Sequence, residues 1–447
     1  MRVTRIALAG ALAFLLTGAL SGSAAPAADQ QITLDNGLRV FAAQRSRADV
    51  AGWHLAFRYP ALSAEAERPS LRGLTQQVLL DALLARLNTD PACAALRDER
   101  DARAALAIST EWEYVEARGK VISGDVGAAL KLLADTLTNL RPTTKDLDAA
   151  RAKLIAASDA NAADIGEATF YLFRQALEGS DVPTGPVYGG AAELKALTPE
   201  DVAGALARYY VAANACLTVV APQPPGEVLR EAKSTLGALP KCPAPALPAL
   251  PPRPTASDVQ VGDISGADRA SLMVGVALPP VESPDSLIGQ VIAAALGGKG
   301  GRLERDESLY ATFGISKPPH PLPEGAVLML QVPFSLRPYI VLHAVVDPMN
   351  IDEATPALSR QLLSFAEVAM PEPELRRAKG RVIGAWAVDG DRAVSLANRL
   401  NLYQLFGLDP RLDLKLPERV KAVTAAQVMQ FASKYFTRTA TGVRMPD

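Results

Sequence analysis

Histidine is scarce in this sequence, and its scarcity limits the metal chemistry that the chain can support. The 447 residues include only three histidines, His54, His320 and His343. None of them has a second ligand at the short spacing that metal sites use. We therefore assign a structural or surface role to each. The sequence also has no Gly-x-Ser-x-Gly segment, so it gives no support for a serine hydrolase.

Cysteine is equally scarce, and charge of neither sign dominates. The three cysteines, Cys93, Cys216 and Cys242, allow at most one internal disulfide and follow no zinc-binding spacing. A bridge between Cys216 and Cys242 is left open, and buried free thiols are the alternative. The formal net charge of −2 gives no sign of a nucleic-acid partner or of a basic membrane-binding surface.

The first 27 residues have the pattern of a cleaved secretory signal. Arg2 and Arg5 precede an apolar run over residues 6–20, and residues 25–27 (APA) supply the small side chains that a signal peptidase needs. An uncleaved anchor helix is the alternative, although about fifteen apolar residues are few for a membrane span. No later run is long enough to cross a bilayer. We therefore expect an exported chain, periplasmic or secreted, with no stable membrane anchor.

The second half of the sequence repeats the first. Residues 197–202 (LTPEDV) resemble residues 423–428 (VTAAQV), and residues 147–155 resemble residues 375–383. The offset is 226 residues in the first comparison and 228 residues in the second. This steady offset indicates a tandem duplication of one structural unit.

A proline-rich stretch separates the two halves. Residues 239–254 contain seven prolines, so they cannot form a helix or a central strand, and we interpret them as a semi-rigid linker. The sequence therefore predicts a signal peptide over residues 1–27, one domain over 28–238, a linker over 239–256 and a second domain over 257–447.

Strand and helix patterns predict an α+β fold. Residues 32–40 are typical of a β-hairpin. Further strands are expected at 52–59, 107–110, 113–121 and 215–221, and helices at 71–84, 98–105, 126–140, 143–160, 170–177 and 198–210. The helix over 71–84 is apolar around nearly its whole circumference and should be buried. Thr144 is expected to cap the helix that follows Pro142.

Two segments of the first half carry a family resemblance. Residues 32–40 (ITLDNGLRV), followed roughly thirty residues later by Gly73-Leu74-Thr75 at a helix start, resemble the insulinase (pitrilysin) family of zinc peptidases, which includes the mitochondrial processing peptidases. In that family the next residues are His-x-x-Glu-His. The two imidazoles hold Zn²⁺, and the glutamate is the general base.

The motif itself is missing from this chain. Its positions are occupied by Gln76, Leu79 and Leu80. Leucine offers no lone pair to a metal, and a neutral amide is a poor substitute for imidazole. The family's third ligand is a glutamate on the helix after Pro142, but residues 153–159 (KLIAASD) contain none. We therefore expect no catalytic residue, no metal ligand and no bound cofactor, although zinc is expected in the family.

The resemblance covers nearly the whole mature chain and implies its architecture. It implies two tandem homologous α+β domains, each an antiparallel sheet with helices packed on one face. The two domains would be halves of a clam-shell around a peptide-binding chamber.

The same resemblance implies two candidates for substrate contact. In the family an arginine and a tyrosine after a Ser-Arg-Leu helix start bind substrate beside the scissile bond. Residues 301–310 (GRLERDESLY) look like that segment with two residues deleted, so Arg305 and Tyr310 would be the counterparts. The alternative is a surface ion pair for Arg305 and a packing role for Tyr310. The glycine-rich residues 297–301 lack the serine or threonine of a phosphate loop, and we consider them a substrate-contacting loop or a flexible helix lead-in.

Together these features predict an exported, catalytically inactive homologue of the insulinase family. It would pair with a zinc-bearing paralogue and hold an extended peptide or unfolded polypeptide by strand addition. The alternative is a stand-alone peptide-binding or structural protein. An active metallopeptidase that uses other ligands is the third hypothesis.

Overall fold

A computed structural model describes most of the chain. The described residues are 29–45, 49–59, 69–96, 106–179, 185, 188–246, 250–298, 300–314, 328–331 and 335–447. The predicted signal peptide, the helix expected over 98–105 and His320 lie outside these ranges, so the structure does not test them.

The strands form two sheets. They are β1 (Gln30–Thr33), β2 (Arg39–Gln44), β3 (Val50–Arg58), β4 (Leu106–Thr110), β5 (Tyr114–Ile122), β6 (Ala215–Ala221), β7 (Asp258–Ile264), β8 (Ala270–Ala277), β9 (Leu328–Gln331), β10 (Tyr339–Val346) and β11 (Ala440–Pro446). The first sheet has the order β1-β2-β6-β3-β5-β4, and the second has the order β7-β11-β8-β10-β9. Each sheet therefore takes its strands from one side of the proline-rich stretch.

The helices follow the same division. They are α1 (Pro69–Thr89), α2 (Val126–Asn139), α3 (Thr144–Ala163), α4 (Ile165–Glu178), α5 (Ala191–Ala196), α6 (Pro199–Tyr209), α7 (Pro225–Leu236), α8 (Ser286–Leu296), α9 (Arg302–Arg305), α10 (Glu307–Thr312), α11 (Ile351–Glu367), α12 (Glu372–Gly390), α13 (Ala393–Leu405), α14 (Leu416–Ala422) and α15 (Ala425–Tyr435). No helix within the described ranges is long and apolar enough to span a bilayer.

The two sheets have the same topology once β1 is set aside. In both, the last strand of the half pairs parallel with the first (β6 with β2, β11 with β7) and antiparallel with the next (β6 with β3, β11 with β8). The remaining pairs are antiparallel. The predicted α+β fold and duplication are confirmed, and each otherwise antiparallel sheet contains one parallel pair that the sequence did not predict.

The helix caps repeat as well. Thr198 and Asp201 form a reciprocal capping box at the start of α6, and Thr424 and Gln427 form the same box at α15. These motifs satisfy backbone N–H groups that a helix start leaves unpaired. The predicted cap of α3 was wrong by one residue. Thr143, and not Thr144, exchanges hydrogen bonds with Asp146, because its position places Asp146 three residues later.

Each half has its own hydrophobic core on one face of its sheet. In the first half, α1, α2, α6 and α7 pack apolar residues against the strands. In the second half, α8, α11 and α15 do the same. This arrangement gives each sheet the layer of helices that the sequence predicts.

The opposite face of each sheet is covered by a helix from the other half. Helix α13 lies on β3 and β6, and helix α4 lies on β8 and β11. Glycines allow the close approach. A Cβ at Gly52 would lie 2.3 Å from the backbone carbon of Ala393 in α13, and one at Gly442 would lie 2.4 Å from the backbone nitrogen of Phe173 in α4. The two halves are therefore joined by reciprocal helix packing.

A buried ion-pair cluster reinforces this junction. Glu178 at the end of α4 accepts hydrogen bonds from both Arg253, at 2.8 and 3.1 Å, and Arg337. The possible disulfide is not formed. Cys216 lies buried in β6, and all three cysteines are free.

Candidate functional site

Helix α1 carries the positions at which the resemblance places a metal motif. Gln76 and Leu79 are buried, and Leu80 is partly exposed. Gly73 lies one helical turn before Gln76, and Tyr188 occupies the space that a side chain at position 73 would need. A Cβ at Gly73 would lie 2.4 Å from the Tyr188 Cβ. The helix therefore packs closely against its surroundings from its first turns onward.

Gln76 is fully engaged with protein groups. Its amide nitrogen donates to the backbone oxygens of Glu116 at 2.7 Å and Ser109 at 3.3 Å, and its amide oxygen accepts from the Tyr210 hydroxyl at 2.8 Å. Burial raises the pKa of Tyr210, which keeps the phenol protonated as a donor. Gln76 thus ties α1 to strands β4 and β5 and to Tyr210, at the end of α6.

Leu79 fills the space beside Gln76 with hydrocarbon. A void of about 10 Å³ lies there, and its walls include Leu55, Leu83, Gln76 and Glu116. This space is at the lower limit for a single water molecule. A void of this size has no room for a hydrated cation.

Residues 153–159 of α3, where the resemblance places the third zinc ligand, lie beside α1 and present a lysine to it. Lys153 in α3 forms an ion pair of 2.6 Å with Asp81 in α1, and Gln77 donates to the same carboxylate at 2.9 Å. Asp159 is exposed on α3. Helices α1 and α3 are therefore connected by a partly exposed ion pair at this point. Across the described ranges, no three His, Cys, Asp or Glu side chains form a group that could hold a metal ion.

His54 belongs to a buried polar network between the halves. Its Nε2 lies 2.7 Å from a Glu116 carboxylate oxygen, and its Nδ1 lies 2.7 Å from the Asn401 amide nitrogen. Asn401 also donates to the Cys216 carbonyl and accepts from the Thr218 hydroxyl. This pattern makes Nδ1 an acceptor and Nε2 the donor to Glu116.

Neighbouring groups favour the ionised form of the Glu116 carboxyl. Burial alone would raise its pKa, but the hydrogen bond from the His54 ring and the charge of Arg118 outweigh burial and lower the pKa. The sequence did not predict this network because its members lie in four separate elements. The strand that contains His54 was expected, but no local pattern identifies Asn401 of α13 as a partner.

His343 occupies a structural position in the second sheet. Its Nε2 lies 3.0 Å from the Ser271 hydroxyl, and burial lowers the pKa of the imidazole. Its neighbours therefore include no set of metal ligands within the described part of the chain.

The structure separates the two residues proposed for substrate contact. Arg305 is exposed, and its Nε donates to the Gly301 carbonyl at 3.3 Å. Tyr310 is only 2% exposed. The nearby Arg302 packs at 3.9 Å over the Phe365 ring and pairs with Glu374 at 2.6 Å. In this conformation Arg305 and Tyr310 do not share a surface that could contact one peptide.

The glycine-rich loop before α9 has an unusual backbone. Gly298 and Gly300 have φ angles of 74° and 72°, values that favour glycine. Arg381 of α12 donates to the Gly297 carbonyl at 2.6 Å and so holds the start of the loop. Lys299 lies outside the described residues. The start of this segment is therefore fixed by α12, and its contact with substrate stays a prediction.

Strand β4 is an edge of the first sheet beside α1. It pairs with β5 on one side, and Ile108, Ser109 and Thr110 are partly exposed. Gln76 reaches this strand through the Ser109 carbonyl. Helix α1 and an edge strand of the described sheet therefore lie next to each other.

Comparisons with known proteins agree with this geometry. A family model described as the peptidase M16 inactive domain matches residues 196–382. Over these residues the chain matches the M16 family, and its sequence contains no His-x-x-Glu-His segment. No curated protein matches it by sequence.

Solved structures of other proteins have the same fold over nearly the whole chain. A peptidase M16 inactive domain from Pseudomonas fluorescens superposes with a TM-score of 0.78 at 17% identity, over 94% of this chain and 98% of that one. A protease from Helicobacter pylori gives 0.75 at 14% identity, over 94% and 100%. A chain of complex III2 from Candida albicans gives 0.73 at 15% identity, over 93% and 95%.

Proposed function

We propose that this M16 homologue binds extended polypeptide without cleaving it and pairs with a zinc-bearing paralogue that supplies the catalysis. One observation carries the proposal. Helix α1 keeps its place beside the β4 edge, while Gln76 is used in structural hydrogen bonds and Leu79 packs in the core. The scaffold for binding is retained, and the groups for hydrolysis are not.

The β4 edge is the surface that fits an extended chain. An edge strand presents backbone N–H and C=O groups that another strand can pair with, and the side chains of alternate residues supply selectivity. Residues 106–110 have a neighbouring strand only on the β5 side among the described elements. A polypeptide added there would lie beside the position that binds zinc in an active relative.

Hydrogen exchange tests this binding surface directly. The chain would be mixed with a reduced, carboxymethylated polypeptide that cannot fold. We expect slower exchange at the outward-facing amides of residues 106–110, and no change at residues 258–264 on the edge of the other sheet. Binding without protection of 106–110 would assign the polypeptide to another surface.

Pairing with a paralogue is supported by the kind of protein that shares this fold. One similar structure is a chain of an assembly, complex III2, so the fold is compatible with a place in a complex of several chains. We expect the chain, purified from its host, to bring down an equal amount of a second M16 chain that contains His-x-x-Glu-His. Recovery of the chain alone would contradict pairing and favour a stand-alone binding protein.

We also propose that the chain is exported, because residues 1–27 have the pattern of a signal peptide. The intact mass of the protein from the periplasm or medium should correspond to cleavage after residue 27. A cytoplasmic protein that retains these residues would contradict export.

Substrate contact by Arg305 and Tyr310 stays a prediction. Tyr310 would have to leave its buried position before its hydroxyl could contact a peptide. In the reconstituted pair, Arg305→Gln is therefore expected to lower turnover more than Tyr310→Phe.

A further inference from the structure

Two valines at the edge of the second sheet are unusually exposed. Val259 and Val261 of β7 are 55% and 61% exposed. Single exposed apolar residues are common on protein surfaces and need no explanation. These two lie on the same face of one strand, because alternate residues of a strand point the same way.

The register identifies that face. Gln260 pairs with Gly442 and Val261 pairs with Val443 in β11. Gly442 lies under α4, whereas Val443 belongs to the core beneath the second half's own helices. Residues paired in register point to the same side of a sheet. Val259 and Val261 therefore extend the core face of the second sheet beyond the layer of helices.

The duplication shows what covers this face in the first half. Strand β2 occupies the place of β7, and its core-facing residues Val40 and Ala42 are fully buried. Helix α7 lies over them and contributes an apolar stripe to the same core, namely Val228, Leu229, Ala232 and Leu236. Strand β1 pairs with the outer edge of β2.

The described residues supply no such cover for β7. Its extensive packing is with β11 and with α4, which lies on the other face. The same structural position is thus covered by a helix in one half and left open in the other. This contrast distinguishes the two valines from scattered surface residues.

On β7 itself the exposed charge on the face of the valines is acidic, whereas Arg444 of β11 lies on the opposite face and donates to the Asp263 carbonyl. Asp263 lies on the same face as Val261 and is exposed, and the exposed Asp447 accepts a hydrogen bond from Ser265 just beyond the strand. In an antiparallel pairing of two β7 strands, one register would place Asp258 of each copy opposite Asp263 of the other. Like charges opposite each other are unfavourable. The acidic end therefore favours a basic partner over a second copy.

We propose that this surface, formed by Val259, Val261 and Asp263, is a docking site for an amphipathic helix of a partner protein. The helix takes the place that α7 takes in the first half. It presents aliphatic residues at the spacing of Val228, Leu229, Ala232 and Leu236, and it carries basic residues toward Asp263. The proposal does not depend on the β4 binding surface or on zinc chemistry.

A stapled peptide provides the probe. It has the sequence of residues 224–237 with Glu227→Lys and Glu231→Lys, and the staple joins the exposed positions 230 and 234 to keep a short peptide helical. Fluorescence anisotropy would measure its binding to the mature chain. We expect saturable binding that falls when Leu229→Asp and Leu236→Asp remove the apolar stripe of the peptide.

Matched variants of the protein locate the site. Val259→Thr with Val261→Thr should weaken binding at least about tenfold. Val368→Thr with Val388→Thr, which changes two other exposed valines, should leave binding unchanged. Both double variants should keep the thermal midpoint within about 2 °C, because the residues are exposed.

Several outcomes would overturn the proposal. One is equal binding by the Val259/Val261 variant and the wild type, since the peptide would then bind elsewhere, for example in place of α7. Another is no binding at up to about 1 mM peptide. The third is a dimer in sedimentation that only the Val259/Val261 variant abolishes, because the occupant would then be a second copy.

Discussion

At the scale of one residue, Gln76 has a structural role at a position that the family resemblance assigns to a zinc-binding histidine. The amide instead satisfies two backbone carbonyls and the Tyr210 hydroxyl. A buried polar group is retained only when such partners are present.

The first prediction concerns this residue. Gln76→Ala should lower the free energy of unfolding by about 3 kcal/mol, because it leaves buried partners without hydrogen bonds and opens a cavity. Urea unfolding of the mature chain would measure the loss. Gln77→Ala is the matched control, since Gln77 is partly exposed and bonds only to Asp81. Its effect should stay within about 0.5 kcal/mol, and equal effects of the two variants would contradict the structural role of Gln76.

A second effect at the scale of one residue is the pH dependence of stability, to which Glu178 contributes. Burial alone would raise its pKa, but the hydrogen bond and charge of Arg253 and the charges of Arg174 and Arg337 lower it. A carboxyl group whose pKa is lower in the folded protein than in the unfolded chain stabilises the fold at pH values above the unfolded-state pKa. The stabilisation is lost as the pH falls through the folded pKa.

The second prediction follows from this sign. Glu178→Gln should cost about 3 kcal/mol at neutral pH, since it removes the partner of buried arginines. The variant should also show a smaller loss of stability than the wild type as the pH falls below 4.5, the ordinary pKa of a glutamate side chain. Glu367→Gln, at an exposed position, should match the wild type. Parallel pH profiles of wild type and Glu178→Gln would contradict this account.

At the scale of elements, the crossing helices α4 and α13 are the main feature. Each leaves its own half and covers the free face of the other sheet, where it buries its own apolar residues. Glycines in the strands allow the helices to approach the sheet backbone. The third prediction tests this close approach.

Gly442→Ala should destabilise the protein by about 2 kcal/mol or more, because the new Cβ would meet the backbone of α4. Gly380→Ala is the same substitution in the exposed part of α12, where a Cβ meets nothing within 4 Å. It should stabilise the protein by roughly 0.5–1 kcal/mol. Thermal unfolding would measure the stability of both variants. If Gly442→Ala left the stability unchanged, α4 would not pack tightly against β11.

The fourth prediction concerns the repeated caps. Thr198→Ala and Thr424→Ala remove equivalent hydroxyls from equivalent helices, so each should cost about 1 kcal/mol. Replacement by serine should restore most of the loss. Chemical denaturation of the four variants would measure it, and an effect confined to one helix would show that the two caps are not equivalent.

At the scale of the whole molecule, the local features were predictable and the long-range contacts were not. The duplication, the hairpin of β1 and β2 and the Thr198 cap follow from short patterns. The crossing of α4 and α13 does not, because an apolar helix face does not identify its partner. The contact between Glu178 and Arg337 joins residues 159 positions apart, and local pattern cannot identify such pairs.

The candidate site shows the same difference between local features, which the sequence predicts, and long-range contacts, which it does not. The replaced positions Gln76, Leu79 and Leu80 were identified by the family resemblance of one helix start. Packing of Tyr310 was one of two alternatives, and the sequence could not decide between them because the environment of Tyr310 is set by the packing of the second half. The three partners of Gln76 come from elements separated along the chain, and only the structure brings them together.

The central claim is that the chain retains an M16 scaffold without its metal chemistry. Zinc analysis of the purified mature chain by plasma mass spectrometry, with a peptidase assay on the same sample, tests it most directly. We predict substoichiometric zinc and no peptide cleavage by the chain alone. One zinc per chain, together with cleavage that a chelator abolishes, would contradict the account.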